Sequence, residues 1–132
     1  MTTPRVDIII PTYNGRDLLA VCLPALARQT YRDFHVVVVD DASTDDTAGL
    51  VRSLLPEATL LRLPRNSGLA VAINRALAST RGELVAFLNN DTEPEPGWLA
   101  ALVAALDRHP DAAAVASKLR LFDRRDVLHS AG

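Results

Sequence analysis

A chain of 132 residues, 48% apolar and 23% charged, has the size and composition of one globular domain with a sizeable core. Its net charge of -2 argues against a general binder of nucleic acid or of anionic membranes, which would need a basic excess. A single cysteine, Cys22, excludes an internal disulfide and a cysteine-based zinc site and fits a reducing cytoplasm. The start, MTTPRVDIIIPTYNG, has no signal-peptide pattern, and no apolar stretch is long enough to span a bilayer.

In chain order, Val6 to Ile10 is β-branched and apolar and predicts a first buried strand, with a loop from Thr12 to Arg16. Asp17 is the expected N-cap of a helix carrying Leu18, Leu19, Cys22, Leu23 and Leu26 up to about Gln29, with Pro24 inside it. Phe34 to Val39 predicts a second buried strand ending on Asp40 and Asp41. Ser43 or Thr44 should cap the next helix, with Asp45 and Asp46 in its first turn and its end near Leu55. Thr59 to Leu63 predicts a third strand, and Arg65 to Gly68 turns into an alanine-rich helix, Leu69 to Ser79, ended by Arg81 and Gly82. Leu84 to Leu88 reads as a strand buried on both faces that delivers Asn89, Asn90 and Asp91 at its carboxyl end. A loop with two acids and two prolines leads to a fourth helix, Trp98 to Arg108, and Ala112 to Ala116 is expected as a fifth strand. From Lys118 to Gly132 the sequence shows no clear period.

This βαβαβαβα order implies an α/β fold: a three-layer, doubly wound, mostly parallel sheet with helices on both faces. Parallel strands put their carboxyl ends on one edge, where open sheets bind ligands. One rim should therefore gather Pro11 to Asn14, Asp40 to Ser43, Arg65 to Gly68 and Asn89 to Thr92. Backbone amides at the helix start after Gly68 suit phosphate, and a carboxylate at a strand end suits Mg²⁺ or Mn²⁺, which take further ligands from substrate phosphates. With Tyr13 to pack against a base, the inventory fits a nucleoside diphosphate and a metal better than an apolar ligand.

Four segments in order, IIPTYNG, QTYRDFHVVVVDDASTDDT, NSGLAVAIN and FLNNDTEPEPGWL, also resemble the nucleotide-sugar half of the inverting family 2 glycosyltransferases, and within them a rhamnosyltransferase-like group acting on bacterial surface polysaccharides. The resemblance implies a GT-A type, Rossmann-like nucleotide-diphospho-sugar transferase fold. It implies that Pro11 and Tyr13 flank the base, that Asp41 hydrogen-bonds it with Asp40 in support, and that Asn66, Gly68 and Asn74 lie near the ribose and diphosphate. Asn89, Asn90 and Asp91 stand where the family carries its Asp-x-Asp motif, so Asp91 would ligate Mn²⁺ or Mg²⁺. Two departures stand out: Asn90 puts an amide in place of a carboxylate, and Ile73 stands where many relatives have arginine. The implied partners are a UDP- or dTDP-linked sugar and a saccharide or lipid-linked acceptor, with no nucleic acid, in the cytoplasm at or near the inner membrane face. The family's general base is an acid well beyond the donor half, so it is expected beyond Gly132, and no residue of this chain is assigned to that role. Residues 1–132 are accordingly expected to be a truncated donor-binding domain without the acceptor-binding part.

Alternative classes fit less well. A Rossmann dehydrogenase would need G-x-G-x-x-G, and a nucleotidyltransferase a glycine-rich basic loop after the first strand. A phosphoacceptor receiver domain would place its acid pair after the first strand. A non-catalytic nucleotide-sugar binding module differs from the enzyme only by lacking the acceptor half. Among other residues, Cys22 and Trp98 read as core and anchor, and His35, His109 and His129 show no metal-ligand spacing.

Overall fold

In the computed structural model, which describes residues 2–131, four parallel strands form one sheet in the order β3-β2-β1-β4. These are β1 (Val6–Thr12), β2 (Phe34–Asp40), β3 (Thr59–Arg62) and β4 (Leu84–Phe87). The helices are α1 (Arg16–Ala27), α2 (Thr47–Leu54), α3 (Leu69–Leu77) and α4 (Trp98–Arg108). Strand β1 pairs with β2 from Val6↔Phe34 to Thr12↔Asp40 and with β4 from Val6↔Leu84 to Ile9↔Phe87. The strand runs on through Pro11 to Thr12, further than the apolar run in the sequence implies.

Alternation along β1 and β2 divides the core. Val6, Ile8, Ile10, Val36 and Val38 pack with Leu19, Cys22, Leu23, Leu26, Val51, Leu99 and Val103, so α1, α2 and α4 cover one face. On the other face Ile9, Val37, Val39 and Leu63 meet only Ala72 and Ala76 of α3. The three-layer arrangement is therefore as expected, with one thick layer of helices and one thin.

Several local expectations fail for identifiable reasons. Gly15, not Asp17, caps α1, and Asp17 lies in the first turn. Neither Ser43 nor Thr44 caps α2; the helix starts at Thr47, and Asp45 accepts from the Thr47 amide at 3.1 Å and from its hydroxyl. Ser43 and Thr44 are instead bonded to Asn14 across the rim. Strand β4 is not buried on both faces: with β3 it is one of the two sheet edges among the described residues, and Phe87 is 57% exposed. Ala112 to Ala116 form no strand and are mostly exposed, whereas β5 (Leu119–Arg120) and β6 (Leu128–Ser130) make a small antiparallel hairpin that the patternless sequence did not announce.

Candidate functional site

The carboxyl ends of β1, β2 and β4 and the start of α3 enclose a cavity of about 330 Å³ lined by Pro11, Thr12, Tyr13, Asp41, Leu69, Ala72, Asn89, Asn90 and Asp91. Tyr13 is half exposed, which leaves its ring free to stack on a planar ligand. Asp91 is exposed where the β4 loop borders the opening, between Asn90 and Thr92.

Consecutive acids at the end of β2 face opposite ways. Asp40, fully buried, continues the Val36, Val38 face; one carboxylate oxygen accepts from the Ser43 amide at 2.9 Å and the other has no partner among the described residues. Ala42 makes this turn possible with a left-handed φ of 65°. Asp41 points toward α3, where its two oxygens accept from the amides of Ser67 at 2.7 Å and Gly68 at 2.9 Å. Asp41 thus holds the two amides just before α3, while those of Leu69, Ala70 and Val71, at the helix start after Gly68, are not among its partners. Gly68 itself has φ 89° with open space around its Cβ position, so backbone conformation, not room, calls for glycine.

The β4 loop is fixed from behind. Asn90 donates to the Thr12 hydroxyl at 3.0 Å, and both side chains crowd Gly15: a Cβ there would sit 2.4 Å from each. Gly15 is a residue that sequence reasoning missed; its place between a strand end and a helix was the available signal. Gln29, also missed, is 2% exposed and ties α1 to the loop, donating to Glu95 O at 2.7 Å and accepting from Leu99 N at 3.1 Å. Cys22 lies 3.9 Å from the Thr92 hydroxyl, and burial pushes its thiol up to about 11. Trp98 packs against the thick core and donates to Ser117 at 2.8 Å, the anchoring role expected of it.

Of the residues singled out in the sequence, the cavity brings together Pro11, Tyr13, Asp41, Asn89, Asn90 and Asp91. Asp40 lies beneath it, Asn66 and Gly68 are exposed beside it, and Asn74 is exposed on α3, away from the buried Ala72 and Ala76. The general base, expected beyond Gly132, falls outside the described residues, as does Gly132 itself. Among the described residues no group of three His, Cys, Asp or Glu could hold a metal by itself. One exposed carboxylate, Asp91, fits a Mg²⁺ or Mn²⁺ site only if a phosphate ligand completes it.

A parallel α/β sheet carries this cavity at its carboxyl edge, and the solved structures on which the chain superposes give it the GT-A type nucleotide-sugar transferase fold. The glycosyl transferase family 2 model matches residues 7–130, and the chain belongs to that family. A PGL/p-HBAD biosynthesis glycosyltransferase of Mycobacterium bovis is 34% identical over 113 residues, covering 83% of this chain and 44% of that protein. Among solved structures, S. aureus TarS in complex with UDP-GlcNAc superposes with a TM-score of 0.75 at 28% identity, covering 92% of this chain and 42% of that one. The mannosyltransferase PcManGT of Pyrobaculum calidifontis, in complex with GDP-Man and Mn²⁺, superposes with a TM-score of 0.71 at 36% identity, covering 80% and 33%. The chain thus spans less than half the length of these relatives. No described helix is long and apolar enough to cross a membrane.

Proposed function

We propose that this chain is the donor-binding part of an inverting glycosyltransferase that moves a hexosyl unit from a nucleoside-diphosphate sugar, UDP- or dTDP-linked, to a saccharide or lipid-linked acceptor in cell-surface polysaccharide synthesis. The observation that carries this is the cavity in which Pro11, Tyr13 and Asp41 share one rim with Asp91, in a chain of glycosyltransferase family 2. Pro11 and Tyr13 hold the base, and Asp41 borders it while fixing the α3 start. Asn66, Gly68 and Asn74 are assigned to the ribose and diphosphate side, with Asp40 and Asn90 bracing the wall. Asp91 would hold the divalent metal, which when bound offsets the charge of the departing diphosphate. An acceptor hydroxyl attacks the anomeric carbon in line and loses its proton to a base, a role we give to no residue up to Gly132. The acceptor-binding part belongs to the whole protein, which we place in the cytoplasm at the inner membrane face.

Calorimetric titration with UDP and dTDP, each with and without Mn²⁺, tests the proposal. Nucleotide binding strengthened by Mn²⁺ and no longer strengthened in Asp91→Ala is the expected result. With a neutral amide at Asn90 and one carboxylate in reach, Mn²⁺ alone should bind weakly. A folded chain that binds neither nucleotide would refute the UDP- or dTDP-linked donor.

A further inference from the structure

The outer face of α3 breaks the usual rule for a surface helix. Its inner face is Ala72 and Ala76, and its solvent side carries Ala70, Val71, Leu77 and Ala78, with Val71 45% and Leu77 37% exposed. Leu69, at the mouth of the cavity, is 61% exposed. Asn74 and Arg75 are exposed on the same helix, so aliphatic and polar side chains share its solvent side.

The sequence around α3 is one-sided in charge, although the carboxylates of Asp41 and Asp7 pack against its two ends. From Ala58 to Gly82 the sequence contains Arg62, Arg65, Arg75 and Arg81 and no acid, in a chain whose net charge is -2. Arg62 donates to Ser43 O at 2.9 Å, but the guanidinium groups of Arg65, Arg75 and Arg81 have no partner among the described residues. By contrast Arg5 is paired with Glu83 and Asp107, Arg120 with Glu95 and Arg125 with Glu93, while Arg52 and Arg108 also have no acidic partner among the described residues. Arg65 and Arg75 also share a second cavity, of about 320 Å³, floored by Leu63, Pro64 and Val71.

From this combination we propose that the α3 face is a docking surface for a membrane of anionic phospholipid. Unpaired arginines around exposed aliphatic side chains match the layered chemistry of such a surface, phosphate outside and acyl chain within. A protein partner of ordinary composition would not require the absence of every acid over this span. The overall charge argues against general membrane attraction, so the contact is local and orients the molecule. Because Leu69 lies at the mouth of the main cavity, docking sets that mouth beside the lipid headgroups. The proposal rests on the inner-membrane placement made above and names the surface responsible.

Flotation of the chain with phosphatidylcholine vesicles, with and without phosphatidylglycerol, tests it. Binding is expected only to the anionic vesicles and should fall as salt screens it. Arg65→Gln or Arg75→Gln should each lower partitioning about fivefold, and Leu77→Asp should lower it further; all three positions are exposed, and circular dichroism checks their fold. No binding to any vesicle would overturn this surface. Binding unchanged in the Arg65→Gln, Arg75→Gln double variant would overturn this surface alone. Self-association that Leu77→Asp abolishes, without vesicle binding, would assign the face to a second copy instead.

Discussion

The two faces of the sheet are built differently, and the difference separates stability from recognition. On the α1, α2 and α4 side, long aliphatic side chains from three helices interlock with β1 and β2. On the α3 side two alanines meet Ile9, Val37 and Val39, and the single helix exposes Val71 and Leu77 on its outside. Dense packing on one side leaves the other free to carry a helix held mainly by its first turn and by small residues. The cavity opens along that thinner side, with Leu69 and Ala72 of α3 in its wall.

The contrast is broken most sharply by truncating each face. Leu23→Ala removes a fully buried side chain from the thick layer and should cost about 2 to 5 kcal/mol. Ala76→Gly, equally buried on the thin layer, has no side chain beyond Cβ to lose and should cost about 1 kcal/mol through helix propensity. Chemical denaturation of both variants measures this, and comparable losses would refute the asymmetry. Cys22 supplies a second readout: its buried, raised thiol should react with a thiol reagent only as the thick face opens.

Gly15→Ala comes next. Its new Cβ would fall 2.4 Å from Asn90 and Thr12, so the Asn90 to Thr12 bond must break or the β4 loop must move. Overpacking of this kind costs about 1 to 3 kcal/mol. Because the displaced loop carries Asp91, Mn²⁺-assisted nucleotide affinity should fall too. Unchanged stability and unchanged affinity would show that the loop is not held there.

Asp41→Ala tests the first turn of α3 directly. Two partly buried amides, those of Ser67 and Gly68, lose their acceptor, a cost of about 1 to 3 kcal/mol confined to the thin side. Hydrogen exchange should accelerate at those two amides and along α3, while β1 and α1 keep their protection. Uniform acceleration over the chain would mean that the two faces unfold as one unit.

How much of this was legible follows from the kind of signal each feature leaves. The strands and helices announced themselves through apolar runs and helical spacing, and with them came the rim where Pro11, Tyr13, Asp41 and Asp91 meet. What failed depended on contacts distant in sequence. Whether Leu84 to Leu88 is central or at an edge is decided by what lies beside it, and the run looks the same in both cases. Asp41 reads as a free acid until the 65–68 loop folds onto it, 26 residues away. Gly15 reads as a turn residue until Asn90 arrives. Capping failed because Asn14, in the left-handed region at φ 49°, captures Thr44 and Ser43 and shifts the start of α2 to Thr47.

The smallest expected effect sets Asp45 on the thick side against Asp41 on the thin. Asp45 accepts from the hydroxyl and amide of Thr47 at the start of α2 and from the Arg16 amide at the start of α1, so one exposed acid serves two helices. The Thr47 hydroxyl bond first, then the backbone bonds, hold its carboxyl below the ordinary value. A carboxyl lowered on folding contributes stability that is fully present above its unfolded value, about 3.9, and is lost as pH falls through the folded one. Asp45→Asn should therefore be less stable than the parent at neutral pH, by less than any change above because the group is exposed and screened. The two should converge in strong acid, where the parent carboxyl is protonated as well. Thermal melts across that range measure the convergence, and a gap that persists at the lowest pH would mean that Asp45 acts through geometry alone. Burial and opposing packing hold α1 and α2 in any case, so the acid trims a stability already present; α3, packed through two alanines alone, relies more on its carboxylate.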